Sequence, residues 1–451
     1  MRQKSPTPWL NSLTAQAAVV AQALACVFIA LTSICHAQPP QTLPALTLAQ
    51  AEALAIKNHP QIREAQNEVN FANQQIIENR AAYYPTISGD ITGSQGNDLS
   101  RIGAGDLSAS RLFNRQGEGI VARQLITDSG RTHNLVASSR LQAQATQQGA
   151  NATRYDVLLQ VNRAYFGVLH AQAVVKVAEK TVATRQQLSD QITELGRNQL
   201  KSQLDVSFSE VNVSQAKLLL LQAQDAVQAG IAELGRAIGS DLPANYQLTD
   251  EPLPPGPPAT TDQLIAQAIA NRPEFAALRL SRDAAYKFAD AEKDLSRPTV
   301  DAVGVGGVIP YINTPASSPI PKEYEGVAVN ISVPVFNGHL FTARHEAALQ
   351  HAMEADQRIR DEQQILARDV RVAWATANDA YQRIDVSAQF LRQAALALDL
   401  AEGRYNLGLS SIVELTQAQL NLTTAEIENL NAKYDYQTQN AALQYTIGLL
   451  R

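Results

Sequence analysis

The chain has 451 residues with a net charge of −6, sparse aromatics and a 45% hydrophobic content. That balance argues against a nucleic-acid-binding surface. Abundant alanine and glutamine suit long, closely packed helices more than one thick globular core.

The first 37 residues read as an export signal. Arg2 and Lys4 give a positive start, Ala17 to Ile34 is largely apolar, and Cys35-His36-Ala37 places small residues for cleavage, so the expected signal peptide is 1–37. The alternative is an uncleaved anchor, since the apolar stretch approaches spanning length. Cys26 is a poor lipidation site because apolar residues follow it. Both cysteines, Cys26 and Cys35, lie in this segment, leaving no disulfide, thiol nucleophile or zinc-thiolate site in a mature chain. No later stretch is long and apolar enough for a transmembrane helix.

The remainder states one pattern twice. Asn58-His59-Pro60 recurs as Asn271-Arg272-Pro273, and Pro85-Thr86 recurs as Pro298-Thr299, both at an offset of 213. Further on the offset is 209, aligning Leu200-Lys201-Ser202 with Leu409-Ser410-Ser411 and Ala216 with Ala425. A period this long is not a solenoid repeat but a duplicated half-protein. The first repeat is expected over 38–249, a Pro-rich linker over 250–260, and the second repeat over 261–451.

Each half predicts helix, strand, strand, long helix, shorter helix. Strands are expected at about 86–94 and 119–126, then at about 299–308 and 326–335. Ile87 and Ile91 share one face, as do Val327, Val329, Ile331 and Val333, with small or polar residues between them. Such period-two segments fit membrane-spanning β-strands, although a half-buried soluble strand looks the same. The other two strands alternate poorly and are placed by symmetry. Residues 97–116 and 310–323 are the expected loops. His339 to Glu402 contains neither glycine nor proline. As one helix it spans ~95 Å. Thr132 to Leu195 is its counterpart, and breaks are expected at Gly196-Arg197-Asn198 and at Leu407-Gly408. The shorter helices show apolar residues every seven positions: Val206, Val213, Leu220, Val227 and Leu234, with a companion row Leu204, Val211 and Leu218. The second half echoes this with Val413, Leu420, Ile427, Tyr434 and Ala441. Both rows predict a coiled-coil seam.

No catalytic constellation emerges, and no cofactor or metal is implied. His339, His345 and His351 are six apart and do not share a helix face. Gly304-x-Gly306-Gly307 lies in a strand-like stretch rather than a strand–turn–helix phosphate loop. Ser202-x-x-Asp205 and Ser411-x-x-Glu414 read as helix caps.

With Asn58-His59-Pro60, Tyr84-Pro85 and the duplicated Leu200-Lys201-Ser202 and Leu407-Gly408-Leu409-Ser410-Ser411 stretches in hand, the chain resembles the TolC family of outer-membrane efflux channels. The resemblance implies a homotrimer in outer-membrane lipid, with four strands per chain in a twelve-stranded β-barrel. It further implies a periplasmic helical coiled-coil tunnel, a periplasmic adaptor and an inner-membrane transporter as partners, and no enzymatic activity. Four strands alone would leave open edges, which a bilayer does not tolerate. By family motif, the aperture positions fall on Asp205, Tyr405, Ser410, Glu414 and Gln417. Two of these depart from the pattern: Gln417 stands where a second ring acid is expected, and Ser410 where an arginine is expected. For Asp205, capping alone and capping with gating both stand. Gly196, Ser202, Gly408 and Ser411 shape the tips; Pro60, Pro85, Pro273 and Pro298 mark the repeat. The alternative reading is a periplasmic coiled-coil structural protein with no channel activity.

Overall fold

The structure is a computed structural model describing residues 45–95, 114–240, 246–258, 260–312 and 321–450. The expected signal peptide with Cys26 and Cys35, and loop residues 97–113 and 313–320, lie outside the described residues. The chain divides into two compact units, 1–45 with 245–247 and 46–244 with 248–451. Everything below concerns the second.

Each half opens on a helix pair broken at its Asn-x-Pro motif. In the first half α1 spans Leu48–Asn58 and α2 spans Pro60–Arg80; in the second, α5 spans Thr261–Asn271 and α6 spans Pro273–Asp294. The cause is local. A residue before proline is driven out of the helical region. His59 and Arg272 accordingly adopt extended conformations, while Pro60 and Pro273 start the next helix at the position that needs no N–H donor. Thr47 caps α1 in a reciprocal box with Gln50.

Pro85 and Pro298 then precede strands. β1 is Thr86–Ser94, β2 Arg115–Thr127, β3 Thr299–Ile312 and β4 Glu323–Ser332. They form one antiparallel sheet in the order β1-β2-β3-β4. The central pairing, β2 with β3, joins the two halves. β2 and β3 run several residues beyond the expected ends, so Arg115, Gln116 and Pro310 to Ile312 are strand rather than loop. β4 starts at Glu323 and stops at Ser332, short of the expected 335. Pro334 cannot donate to a ladder, so Val333 lies past the last paired residue.

At the sheet's helix-facing end the backbone turns through two consecutive left-handed residues, Ser129-Gly130 in one half and Gly338-His339 in the other. Asp128 stabilises the first turn by accepting from the N–H of Gly130 and of Thr132. Beyond the turns run two helices of equal length, α3 (Arg131–Arg197) and α7 (Leu340–Asn406), each of 67 residues. At 1.5 Å per residue each is about 100 Å long. The returning helices α4 (Gln203–Ala237) and α8 (Ile412–Thr446) both have 35 residues. α3 packs on α4, α6 and α8, and α7 on α6 and α8.

The buried seam keeps part of the expected one and departs from the rest. Val206, Val213 and Leu234 are buried, but Leu204, Val211 and Leu218 are exposed, and in α8 so are Val413 and Leu420. What faces the neighbouring helix is a row of small residues at the same spacing: Ser209, Ala216, Ala223, Gly230 and Ala237 in α4, with Ala418, Ala425 and Ala432 in α8. A side chain on Gly230 would press on Val168. The long helices carry a buried row at the same spacing, which in α3 is Ala143, Val157, Ala164, Ala171, Ala178, Arg185 and Ile192. The row in α7 is Ala352, Ile359, Leu366, Ala380, Ala394 and Ala401. Every member of the α7 row lies 209 residues after a position of the α3 row or after Ala150, which is half-buried. Close helix approach selects the small-residue face over the larger, equally periodic leucine face, because a leucine in the contact would push the backbones apart.

Residues 249–258 are strapped onto the helices. Trp374 donates Nε1–H to the Pro258 carbonyl at 2.6 Å, Tyr436 donates to the Pro255 carbonyl, and Gly256 sits against the Tyr381 ring. Gln437 donates to Glu251 and Tyr165 to Thr249.

Candidate functional site

Two regions at opposite ends of the long helices carry the functional features. The first is the sheet. In register, Ile87, Ala122, Gly304 and Val327 form one row of the same face, with Val300 and Ile331 in another. Toward the helices this face is apolar and open, with Val327 87% exposed and Ile87, Ile91, Ile120, Val329 and Ile331 exposed too. Glu118, Glu323 and Glu325 lie on it at the end far from the helices. The opposite face carries Thr86, Ser88, Asp90, Arg123, Asp301 and Asn330, together with Val121, Val303 and Val305. Those inward valines, opposite outward alanine and glycine, account for the poor alternation of β2 and β3 in sequence. On this polar face the Tyr324 ring crosses Gly307 and Gly119, filling the space where a Cβ on either would stand. Tyr83, Tyr84 and Phe336 are exposed where strands meet helices. Aromatic residues concentrate at the edges of a membrane-embedded apolar band. This belt was not read from sequence, because Phe336 and the tyrosines sit outside the alternating segments.

The second region is the pair of helix tips. α3 ends with Leu200 N–H donating to Leu195 at 2.9 Å, and α7 with Leu409 N–H donating to Arg404 at 2.8 Å. Both are left-handed C-terminal turns, with Gln199 at φ 59° in one and Gly408 at φ 72° in the other. Gly196, expected in the break, is helical instead. Its role is close approach, since a Cβ there would meet the Val206 side chain. Ser202 caps α4 in a full box: its Oγ accepts from Asp205 N–H at 3.1 Å, and the Asp205 carboxylate accepts from Ser202 N–H and O–H. Ser411 accepts from Glu414 N–H at 3.4 Å, but Glu414 does not return the contact. Its carboxylate lies 3.2 Å from Arg404 Nε.

The remaining aperture positions cluster around these caps. Tyr405 is buried with Ile192, Val206, Ile412 and Leu415, and Lys201 Nζ stands 4.2 Å above its ring. Tyr405 Oη and Ser410 Oγ are buried without a hydrogen-bond partner among the described residues. Among the described residues Asp205 and Tyr405, both aperture positions by resemblance, make no hydrogen bond to each other, and the Asp205 carboxylate accepts from Ser202 instead. Gln417 donates to Asn421, one turn along α8. Leu200, Leu204, Leu407, Leu409 and Val413 leave an apolar crown around the tips, with Leu407 75% exposed.

Further up the seam sits Arg185, 6% exposed, donating to the Asn212 carbonyl at 3.1 Å while its Nε has no partner among the described residues. Burial pushes its pKa down.

Residues 53–240 and 264–449 match the family described as "Outer membrane efflux protein". The two matched stretches coincide with the two halves, and the chain belongs to that family. It is an outer-membrane export channel whose helices form a periplasmic tunnel; the family comprises channel proteins rather than enzymes. Among curated relatives, it is 23% identical to "Outer membrane protein TolC" of Salmonella enteritidis, covering 90% of this chain and 83% of that one. It is also 23% identical to "Alkaline protease secretion protein AprF" of Pseudomonas aeruginosa, over 90% and 85% of the two chains. Among solved structures, a membrane protein from Pseudomonas aeruginosa superposes with a TM-score of 0.76 at 20% identity, covering 89% and 93%.

Proposed function

We propose that three copies of this chain close a twelve-stranded barrel and that their helix tips form its periplasmic aperture. The observation that carries this reading is the sheet itself, with an apolar face and two edge strands, β1 and β4, each paired on one side only. In a bilayer the outer edges need partners, and copies of the same sheet supply them without an end. The exposed Val211 and Leu218 on α4 and Leu420 on α8 are then contacts between subunits. The conduit delivers solute outward, so its chemistry is selection and gating, not bond-making. Asp205, Tyr405, Ser410, Glu414 and Gln417 line or support the narrowest point. The apolar crown offers a surface for helical hairpins of a periplasmic adaptor, which couples the tip to an inner-membrane transporter.

Detergent-extracted protein is expected to run as a trimer when unheated in sodium dodecyl sulfate and as a monomer after boiling. Monomer alone, at any concentration that supports conductance, would overturn the closure. The register has its own test. Val329→Arg should cost ~2–4 kcal/mol near the bilayer midplane, while Asn330→Arg should be mild. Equal tolerance in a vesicle folding assay would reject the assigned faces.

A further inference from the structure

Arg404 and Glu414 face each other across the α7–α8 turn. Their Nε–Oε1 separation is 3.2 Å, and a second nitrogen of the same guanidinium reaches 3.5 Å from the Leu409 carbonyl. Arg404 sits in the last turn of α7 and Glu414 in the first turn of α8. Each charge thus has the sign its own helix end favours, and the short turn brings the two together. The other tip lacks this arrangement. The positions 209 residues earlier are Leu195 and Asp205, so an acid is present without a facing arginine.

We propose that Arg404 is a specificity-determining residue of the channel, cancelling the charge that Glu414 would otherwise present at the aperture. The inference rests on the channel reading of the tip and deepens it. In a trimer Glu414 contributes three ion pairs, not three bare carboxylates. An ion held at 3.2 Å from its counter-charge is felt as a dipole by a solute approaching from beyond the screening length of about 8 Å. The Arg404 and Glu414 side chains are 56% and 47% exposed, so the pair adds little to stability. Its removal changes the field at the tip more than the fold. The cation expected at Ser410 is thereby replaced by one six residues earlier, aimed at a different acid.

The experiment is single-channel recording of the full chain in planar bilayers, under a potassium chloride gradient, with hexamminecobalt(III) as a trivalent probe. The unsubstituted channel should be weakly selective. Arg404→Gln should move the reversal potential toward cations and tighten trivalent block by about tenfold or more. Glu414→Gln should move it the other way, toward anions. The Arg404→Gln/Glu414→Gln double variant should return near the parent. An Arg404→Gln channel indistinguishable from the parent, or a Glu414→Gln channel that simply loses a pre-existing cation selectivity, would overturn the proposal. The second criterion holds even if Arg404→Gln fails to assemble. Failure of the channel reading shows differently, as an unsubstituted protein with no conductance steps.

Discussion

The two helical hairpins of this chain have the same lengths and the same small-residue seam, yet they solve three local problems differently. At the seam, the first has Arg185 where the second has Ala394. At the left-handed turn, the first uses Gln199 and the second Gly408. At the cap, the first seals its acid into a box with Ser202, while the second turns Glu414 toward Arg404. Duplication preserved what packing demands and let the chemistry diverge where helices end. The seam tolerates few residue types because the helices touch there, whereas the tip residues are half in solvent and free to vary.

That comparison can be broken most severely at the seam. Ala394→Arg places in the second hairpin the charge the first carries, without the Asn212 carbonyl that receives Arg185. It should destabilise by about 3–5 kcal/mol as an uncompensated buried charge. The reverse change with volume kept, Arg185→Met, should be neutral or stabilising by up to about 4 kcal/mol. Thermal unfolding reads both, and a large loss from Arg185→Met would show that its single hydrogen bond matters more than its desolvation. Next in size, Ala223→Leu and its counterpart Ala432→Leu should each cost about 1–3 kcal/mol by overpacking. Equal costs would establish the seams as equivalent, and a harmless change in one hairpin alone would show that its helices can separate. At the turns, Gln199→Gly should gain about 1 kcal/mol and Gly408→Gln should lose about as much, because only glycine takes the left-handed region without strain. Smallest is the cap pair. Ser202→Ala should cost about 1–2 kcal/mol and Ser411→Ala nearer 0.5, since only the first breaks a reciprocal box. Amide exchange at the first turns of α4 and α8 measures the difference.

Much of this architecture was legible in the amino-acid order because it rests on backbone chemistry. Pro60 and Pro273 end helices wherever they occur, Pro85 and Pro298 precede strands, and a run without glycine or proline continues as helix. Ser202 and Ser411 were readable as caps for the same reason. Val206, Val213 and Leu234 were read correctly as seam residues. The companion row Leu204, Val211 and Leu218 was misread because heptad spacing is carried by two faces at once, and hydrophobicity favours leucine where close approach favours alanine. Only the neighbouring helix decides between them. Gln199 gave no signal, since a left-handed glutamine is imposed by the turn and not by its own preference. The Arg404–Glu414 contact depends on how two long side chains meet across a turn, which spacing alone does not fix. Gly196 was placed in the break because glycine usually marks one; here it makes room for Val206.

The strap at 249–258 has a mechanical consequence. Trp374 and Tyr436 tie it as a belt to α7 and α8 well above the tip, and below that height the two hairpins stay joined to each other through Lys180–Glu426 and Asn212–Thr416. Trp374 and Asn406 are 32 steps apart on one continuous helix. At 1.5 Å per residue this makes a rigid arm of about 48 Å. A tilt of about 6° at the belt then carries the end of that arm sideways by about 5 Å, as much as one helical turn rises. If the joined hairpins tilt together about the belt, the length of helix beneath it sets how far their tips travel.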